Sequence, residues 1–459
     1  MNATIQQLRT PAELALAGAF QASKARLAGN KAVAQLREDS FRAFGASGLP
    51  HRHMESWHYT DLRALMRESL PLAAPPDPAA CHTLRNQFAH ARLPTPRLVL
   101  ADGFFVPALS SGLPDGLSVR SLSSVLAEGP LGLIAMLAAQ DPATQDPIVS
   151  LNAALMQDGA VIEIAPGVTI AEPVHLIHAA ASPEPAARYC RSLLVLGAGA
   201  SVRFAESYAA EGIATARPSG QTNSCLVISI GDGATLSHTS ALTGNAPHNL
   251  HIDSVIARIG AGAKFESFAL ISGIGFVRRQ MFVRFEGAHS QAMLSGVSLL
   301  GGREHADTTL RVEHAAQACV SRETFKYILD DQATGVFQGR INVAQGAQKT
   351  DGKMLCKSIL LSDMATMNTK PELEIFAEDV ACGHGATCGG LDAGQLFYLQ
   401  TRGLPFALAE ALLLEGFAGE LVDGIGHEGL AARLRRVIDA WLAARHNATA
   451  ALPAHGTTA

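Results

Sequence analysis

At 459 residues the chain is longer than one hydrophobic core usually supports, and with 48% hydrophobic against 17% charged residues it is composed to fold rather than to stay disordered. A formal charge of −5 with no run of Lys or Arg argues against a nucleic-acid partner. No apolar stretch approaches the roughly 20 residues of a membrane span, no secretory segment opens the chain, and seven scattered cysteines read as reduced thiols, so a cytoplasmic location is expected.

In chain order, Thr10-Pro11-Ala12-Glu13 reads as a capping box with Pro at the first helical position. It predicts a helical run to about Phe44, closed by Gly45 to Pro50. Glu55-Ser56-Trp57-His58-Tyr59-Thr60 follows, then a Pro-rich stretch from Pro71 to Pro78 that reads as a linker or an irregular loop. Residues 97 to 150 mix a short strand, Arg97 to Leu100, with helical pieces.

From about residue 160, apolar pairs two apart recur: Ile162/Ile164, Leu194/Leu196, Ile228/Ile230, Ala257/Ile259, Val283/Phe285, Leu310/Val312, Ile341/Val343 and Leu373/Ile375. Alternation at period two is a strand signal. Small-residue turns follow, as in Gly197 to Ala200, Gly231 to Ala234 and Gly260 to Ala263. A repeat of roughly 30 residues is shorter than a propeller blade and lacks the leucine-rich consensus. A β-sandwich would turn every ~8–12 residues without the longer repeat. The prediction is a mainly β chain, a right-handed parallel β-helix flanked by helical segments.

Asp392 to Gln395 opens the C-terminal helices, Gly403 can end the first of them, and Pro405 can start the next. The last helix presents Leu430, Leu434, Val437, Ile438, Trp441 and Leu442 on one face. The expected division is an N-terminal helical and mixed domain over 1–150, a β-helix core over 151–391 and a C-terminal helical domain over 392–459.

Chemistry is sparse. Gly346 to Thr350 resembles a phosphate loop but lacks its first glycine, and no zinc spacing or nucleophile elbow occurs. Many β-helices are polysaccharide lyases or hydrolases, which is the enzymatic alternative. Such sites need carboxylates and aromatic platforms. Here Trp57 and Trp441 lie outside the repeats, and Asp330-Asp331 reads as a solvated turn. One cluster stands out, Cys382-Gly-His384-Gly-Ala-Thr-Cys388. It reads either as part of a ligand set for iron or another soft metal, or as two buried thiols around a turn histidine.

Thr369-Lys-Pro-Glu-Leu-Glu-Ile-Phe-Ala-Glu-Asp-Val380, Cys382, His384 to Thr387, and Leu391-Asp392 through Gln395 to Leu399 and Arg402-Gly403 together resemble the C-terminal signature of the SufB/SufD scaffold family. Asp351 to Asp363 and Glu55 to Thr60 are similar to the family as well. Gly385 and Leu399 stand where SufB-type chains carry Glu and Cys, so the resemblance is to the SufD branch.

The resemblance implies a scaffold subunit without its own hydrolytic activity, and a SufB-type partner joined through the β-helix ends. It also implies a SufC-type ABC ATPase held by the C-terminal helices, with ATP on that ATPase alone. A transient iron–sulfur cluster would form at the SufB interface, with His384 as the metal-binding residue and Cys382 and Cys356 beside it. Self-pairing of the isolated chain is compatible with this. Cys356 precedes His384 by 28 residues, close to one coil, so the two are expected to stack on neighbouring coils, with Cys388 purely structural.

Overall fold

The computed structural model describes residues 9–90, 96–138, 146–208 and 220–451. The N-terminal helices are α1 (Pro11–Ser23), α2 (Lys31–Ser47), a one-turn α3 (Leu62–Leu65) and α4 (Pro78–His90). Strands β1 (Arg97–Ala101), β2 (Phe104–Phe105) and β3 (Leu117–Ser121) follow, then α5 (Leu122–Glu128), α6 (Leu131–Ala138) and α7 (Pro147–Leu155). The capping box is formed: Glu13 N donates to Thr10 Oγ1 at 3.2 Å, and Thr10 N donates to Glu13 Oε2 at 2.7 Å. The run to Phe44 is two helices rather than one. Gly29 and Asn30 divide it, because the Asn30 side chain accepts from Val33 N at 3.1 Å and restarts the helix there.

The expected β-helix then begins. Its shorter strands are β4 (Ala160–Ile164), β5 (Val174–Ala179), β6 (Ala187–Leu196), β7 (Ser201–Ser207) and β8 (Gln221–Ile230). Two long strands, β9 (Thr235–Ile259) and β10 (Lys264–Phe285), run through the bend between faces. Above them lie β11 (Gln291–Leu300), β12 (His305–His314), β13 (Val320–Leu329), β14 (Thr334–Val343), β15 (Thr350–Leu360), β16 (Thr366–Ile375) and β17 (Val380–Gly389). The result is a β-solenoid of about 7 turns.

Two parallel sheets make it. The first stacks β4, β6, β8, the second halves of β9 and β10, then β12, β14 and β16. The second stacks β1, β5, β7, the first halves of β9 and β10, then β11, β13, β15 and β17. The apolar pairs found in the sequence are the inward columns of the first sheet. Leu194, Ile228, Ala257, Val283, Val312 and Ile341 lie in one column, all in the solenoid core.

The corners explain the small residues. Gly199, Gly233 and Gly262 take φ of +69°, +66° and +64° and stack on successive coils. At Gly287 a Cβ would lie 2.0 Å from Ala261 N, so the next corner sits directly on the backbone beneath.

The N-terminal helices cover the outer face of the first sheet, where Trp57, Leu62 and Leu151 share a core with Ile252 and Phe276. The outer face of the second sheet is covered from the other end of the chain. There α8 (Ala393–Thr401) leads into α9 (Phe406–Asp423) and α10 (Glu428–Ala451). Leu414, Ala418, Val422, Leu434 and Ile438 bury Phe268, Leu270, Val297, Leu299 and Ile328. No helix among the described residues is long and apolar enough to cross a membrane.

Candidate functional site at the open end of the solenoid

Among the described residues no strand lies above the last coil. β16 pairs with β14 and β17 with β15, and no described strand pairs with either on the other edge. Its inward residues are therefore only half-buried or exposed: Thr369, Pro371 and Leu373 on β16, and Cys382, His384 and Cys388 on β17. One coil below, the same columns hold Phe337, Ile341, Met354 and Ser358, all buried. Two ten-residue edges and an uncapped core at one end form a template for another strand pair.

The register places the predicted residues. Gly352 lies under Cys382, Met354 under His384, and Cys356 under Ala386. Cys356 and His384 are on adjacent coils as expected, but they do not stack. The coil between β15 and β17 holds 30 residues, so the two are offset by two positions, about 8 Å between backbones. Cys356 is fully buried, and burial pushes its thiol up to about 12, with Cys388 adding to the effect. Burial also raises the Cys382 thiol, and Asp351 and Glu323 raise it further. Cys388, expected to be a buried structural thiol, is exposed, because its coil is the last. All seven cysteines are free. Beside His384, a methyl group at Gly383 would meet nothing within 4 Å and one at Gly385 only Leu355 Cδ1 at 3.5 Å. The chain's own packing therefore does not require these glycines.

Sequence reasoning missed what lies beneath. Glu323 points inward next to the Cys382 column, is fully buried, and has no hydrogen-bond partner for either carboxylate oxygen. Burial pushes it up to about 8. His314 is fully buried with Nε2 3.0 Å from Ser321 Oγ and Nδ1 unpaired, and burial pushes it down to about 4. Counting back by twos from Phe325 marks Glu323 and Ser321 as inward, and that signal was available. Deeper in the lumen, Glu206 sits between His178 Nε2 at 3.2 Å and His238 Nε2 at 3.0 Å. Burial raises this carboxylate, but the two imidazoles outweigh it and hold it well below the usual range. Among the described residues no three of His, Cys, Asp and Glu converge to hold a metal ion.

On the outside, Glu55 to Thr60 clasps the upper coils. Arg278 stacks over the Trp57 ring at 3.7 Å, donates to Ser56 O at 2.7 Å and pairs with Asp307, which also accepts from Thr60. Glu55 pairs with Lys370 of the last coil at 2.9 Å. Two of the segments that carry the family resemblance thus hold one another. Gly346 to Thr350 is a corner, with Ala347 buried and Lys349 at φ +63°. Asp330 is paired with Arg445, and Asp331 at φ +52° bonds Gly302 N, so the adjacent acidic pair is committed to structure.

Comparison with known proteins agrees with this architecture. The family described as the SufBD core domain of the SUF iron–sulfur cluster assembly system matches residues 177–417, and the SufBD N-terminal region matches 14–176. An iron–sulfur cluster assembly SufBD family protein of Synechocystis is 31% identical over 88% of this chain and 89% of its own. The iron–sulfur cluster assembly protein SufD of Escherichia coli is 32% identical over 84% of this chain and 87% of its own. SufD of Bacillus subtilis is 25% identical over 64% of this chain and 66% of its own. With matches along nearly its whole length and an open-ended solenoid between two helical flanks, the chain belongs to the SufBD family.

Proposed function

We propose that the chain serves iron–sulfur cluster assembly as a SufD-type scaffold subunit in the cytoplasm, with no nucleotide chemistry of its own. The observation that carries this is the open coil: two unpaired edges around a core that ends in Cys382 and His384. A SufB-type paralogue with a matching end continues both sheets and covers the exposed columns. The cluster is cargo at that junction. His384 offers an imidazole and Cys382 a thiol, and the partner supplies the remaining ligands. Cys356 lies one coil inside, under Ala386, as a further thiol for the same junction. Two identical ends can also meet, so the same edges allow isolated chains to self-pair.

A second surface suits the ATPase. Phe397, Tyr398, Phe406, Leu408 and Leu412 are exposed on α8 and α9, with Phe397 68% accessible, and α8 buries no residue of its own. Five exposed apolar side chains on neighbouring helices mark an interaction site, read here as the seat of a SufC-type ABC ATPase that brings the ATP.

The test is co-expression with SufB- and SufC-type partners, anaerobic isolation, and iron and sulfide analysis. His384→Ala lowers iron and sulfide severalfold while complex size stays unchanged. Cys382→Ala and Cys356→Ala, run in parallel, rank the two thiols. Normal loading and transfer by His384→Ala complexes would remove His384 from the site.

A further inference from the structure

Between the Glu55–Trp57 turn and the outer face of the first sheet lies a cleft of about 440 Å³, within the ~300–1,000 Å³ range of small-molecule sites. Arg278, Arg311, Arg340 and Lys370 line it against three carboxylates, Glu55, Asp146 and Glu372. The carboxylates are all engaged. Asp146 accepts from Trp57 Nε1 at 2.8 Å and from the backbone N of Ile148 and Val149. Glu55 and Glu372 are shared between Arg340 and Lys370. Arg278 is matched by Asp307.

Arg311 is left over. No ion pair or hydrogen bond joins it to a described residue, and its Nε is buried without a partner. Its register neighbours are Phe282 on the coil below and Arg340 on the coil above, so the nearest charge along the ladder is a second guanidinium. A half-buried guanidinium with no counter-ion beside another cation is unfavourable. An oxyanion in its planar fork supplies both hydrogen bonds and charge. Met54, Pro147 and Phe282 give the same cleft an apolar lining.

We infer that this cleft binds a small organic oxyanion, a carboxylate or a phosphate monoester, with its charge on Arg311 and its apolar part against Met54, Pro147 and Phe282. The site lies on the outer face of the first sheet and shares Lys370 and Glu372 of β16 with the last coil.

Full-length protein is titrated at low ionic strength with benzoate, phenyl phosphate and inorganic phosphate, followed by calorimetry and thermal melting. One of the two aromatic anions binds one-to-one with a Kd of ~1 mM or tighter and raises the melting temperature. Which one does so identifies the head group. Inorganic phosphate binds at least about tenfold more weakly, since it lacks the apolar part. Arg311→Gln loses about tenfold or more in affinity and, without anion, melts no lower than the parent chain. Arg311→Lys keeps the charge without the fork and loses severalfold. Arg303→Gln, exposed in a corner turn, changes nothing. Absence of saturable binding by both aromatic anions overturns the site, as does undiminished affinity in Arg311→Gln or Arg311→Lys. Equal affinity for inorganic phosphate overturns its organic character.

Discussion

Glu323 and His314 share one corner of the lumen and respond to pH in opposite directions. The folded-state pKa of Glu323 is raised from 4.5 to about 8. Below 4.5 both states hold the proton and there is no penalty. From there up to about 8 only the unfolded chain ionises, so stability falls as pH rises. His314 is lowered from 6.5 to about 4. As pH falls through that window only the unfolded chain takes up the proton, so stability falls in the other direction. Glu323→Gln, which removes the ionisable group but keeps its shape, is therefore expected to raise the melting temperature clearly more at about pH 8.5 than at about pH 5. Equal gains at both values would mean that the carboxyl is hydrated or paired in solution. Cys382 and His384 were legible in the sequence because their chemistry sits within three residues. Glu323 was not, because its place near Cys382 exists only once coils are stacked in register.

At the level of elements, the two sheets differed in how plainly they could be read. Leu, Ile and Val fill the inward columns of the first sheet, so its repeat stands out. The second sheet carries Ser267, Gly296, Ser321, Gly352 and Cys356 at equivalent inward positions, and a search for apolar pairs passes over them. Coil length was misjudged for the same reason: register is set by corners, and the corner after β16 places Val380, not Glu378, above Thr350. The C-terminal helices, read in the sequence as a domain of their own, share a core with the solenoid, since α9 and α10 cover Phe268, Val297 and Ile328. Truncation after Asp392 would bare that face, so point changes are the cleaner probe. Phe397→Ser with Phe406→Ser is expected to abolish co-purification of the ATPase while shifting stability by about 0.5 kcal/mol or less. Retained ATPase, or a large drop in melting temperature, would place these side chains elsewhere in the function.

The whole molecule is a stack whose neighbours stabilise one another along one axis. The helical flanks seal its outer faces, and the last coil is left unsealed. Such a shape suits a scaffold: the walls are rigid, and the proposed cluster ligands lie where the stack stops. It also makes the end the least protected part, since each earlier coil is buried from both sides and the last from one.

The two tryptophans, one in each flank, give the molecule a built-in optical readout. Trp57 is fully buried, bonded to Asp146 and capped by the Arg278 guanidinium, whereas Trp441 is half-buried on α10. With Trp441→Phe the remaining emission reports the N-terminal clasp; with Trp57→Phe it reports the C-terminal helices. In a urea titration the Trp441 signal is expected to change at lower denaturant than the Trp57 signal, because its helix is laid on the outside of the stack while the other indole is wedged into it. Coincident curves would instead show that helices and coils unfold as one cooperative unit. The same pair of single-indole proteins would show, without any added label, which flank a bound partner holds shut.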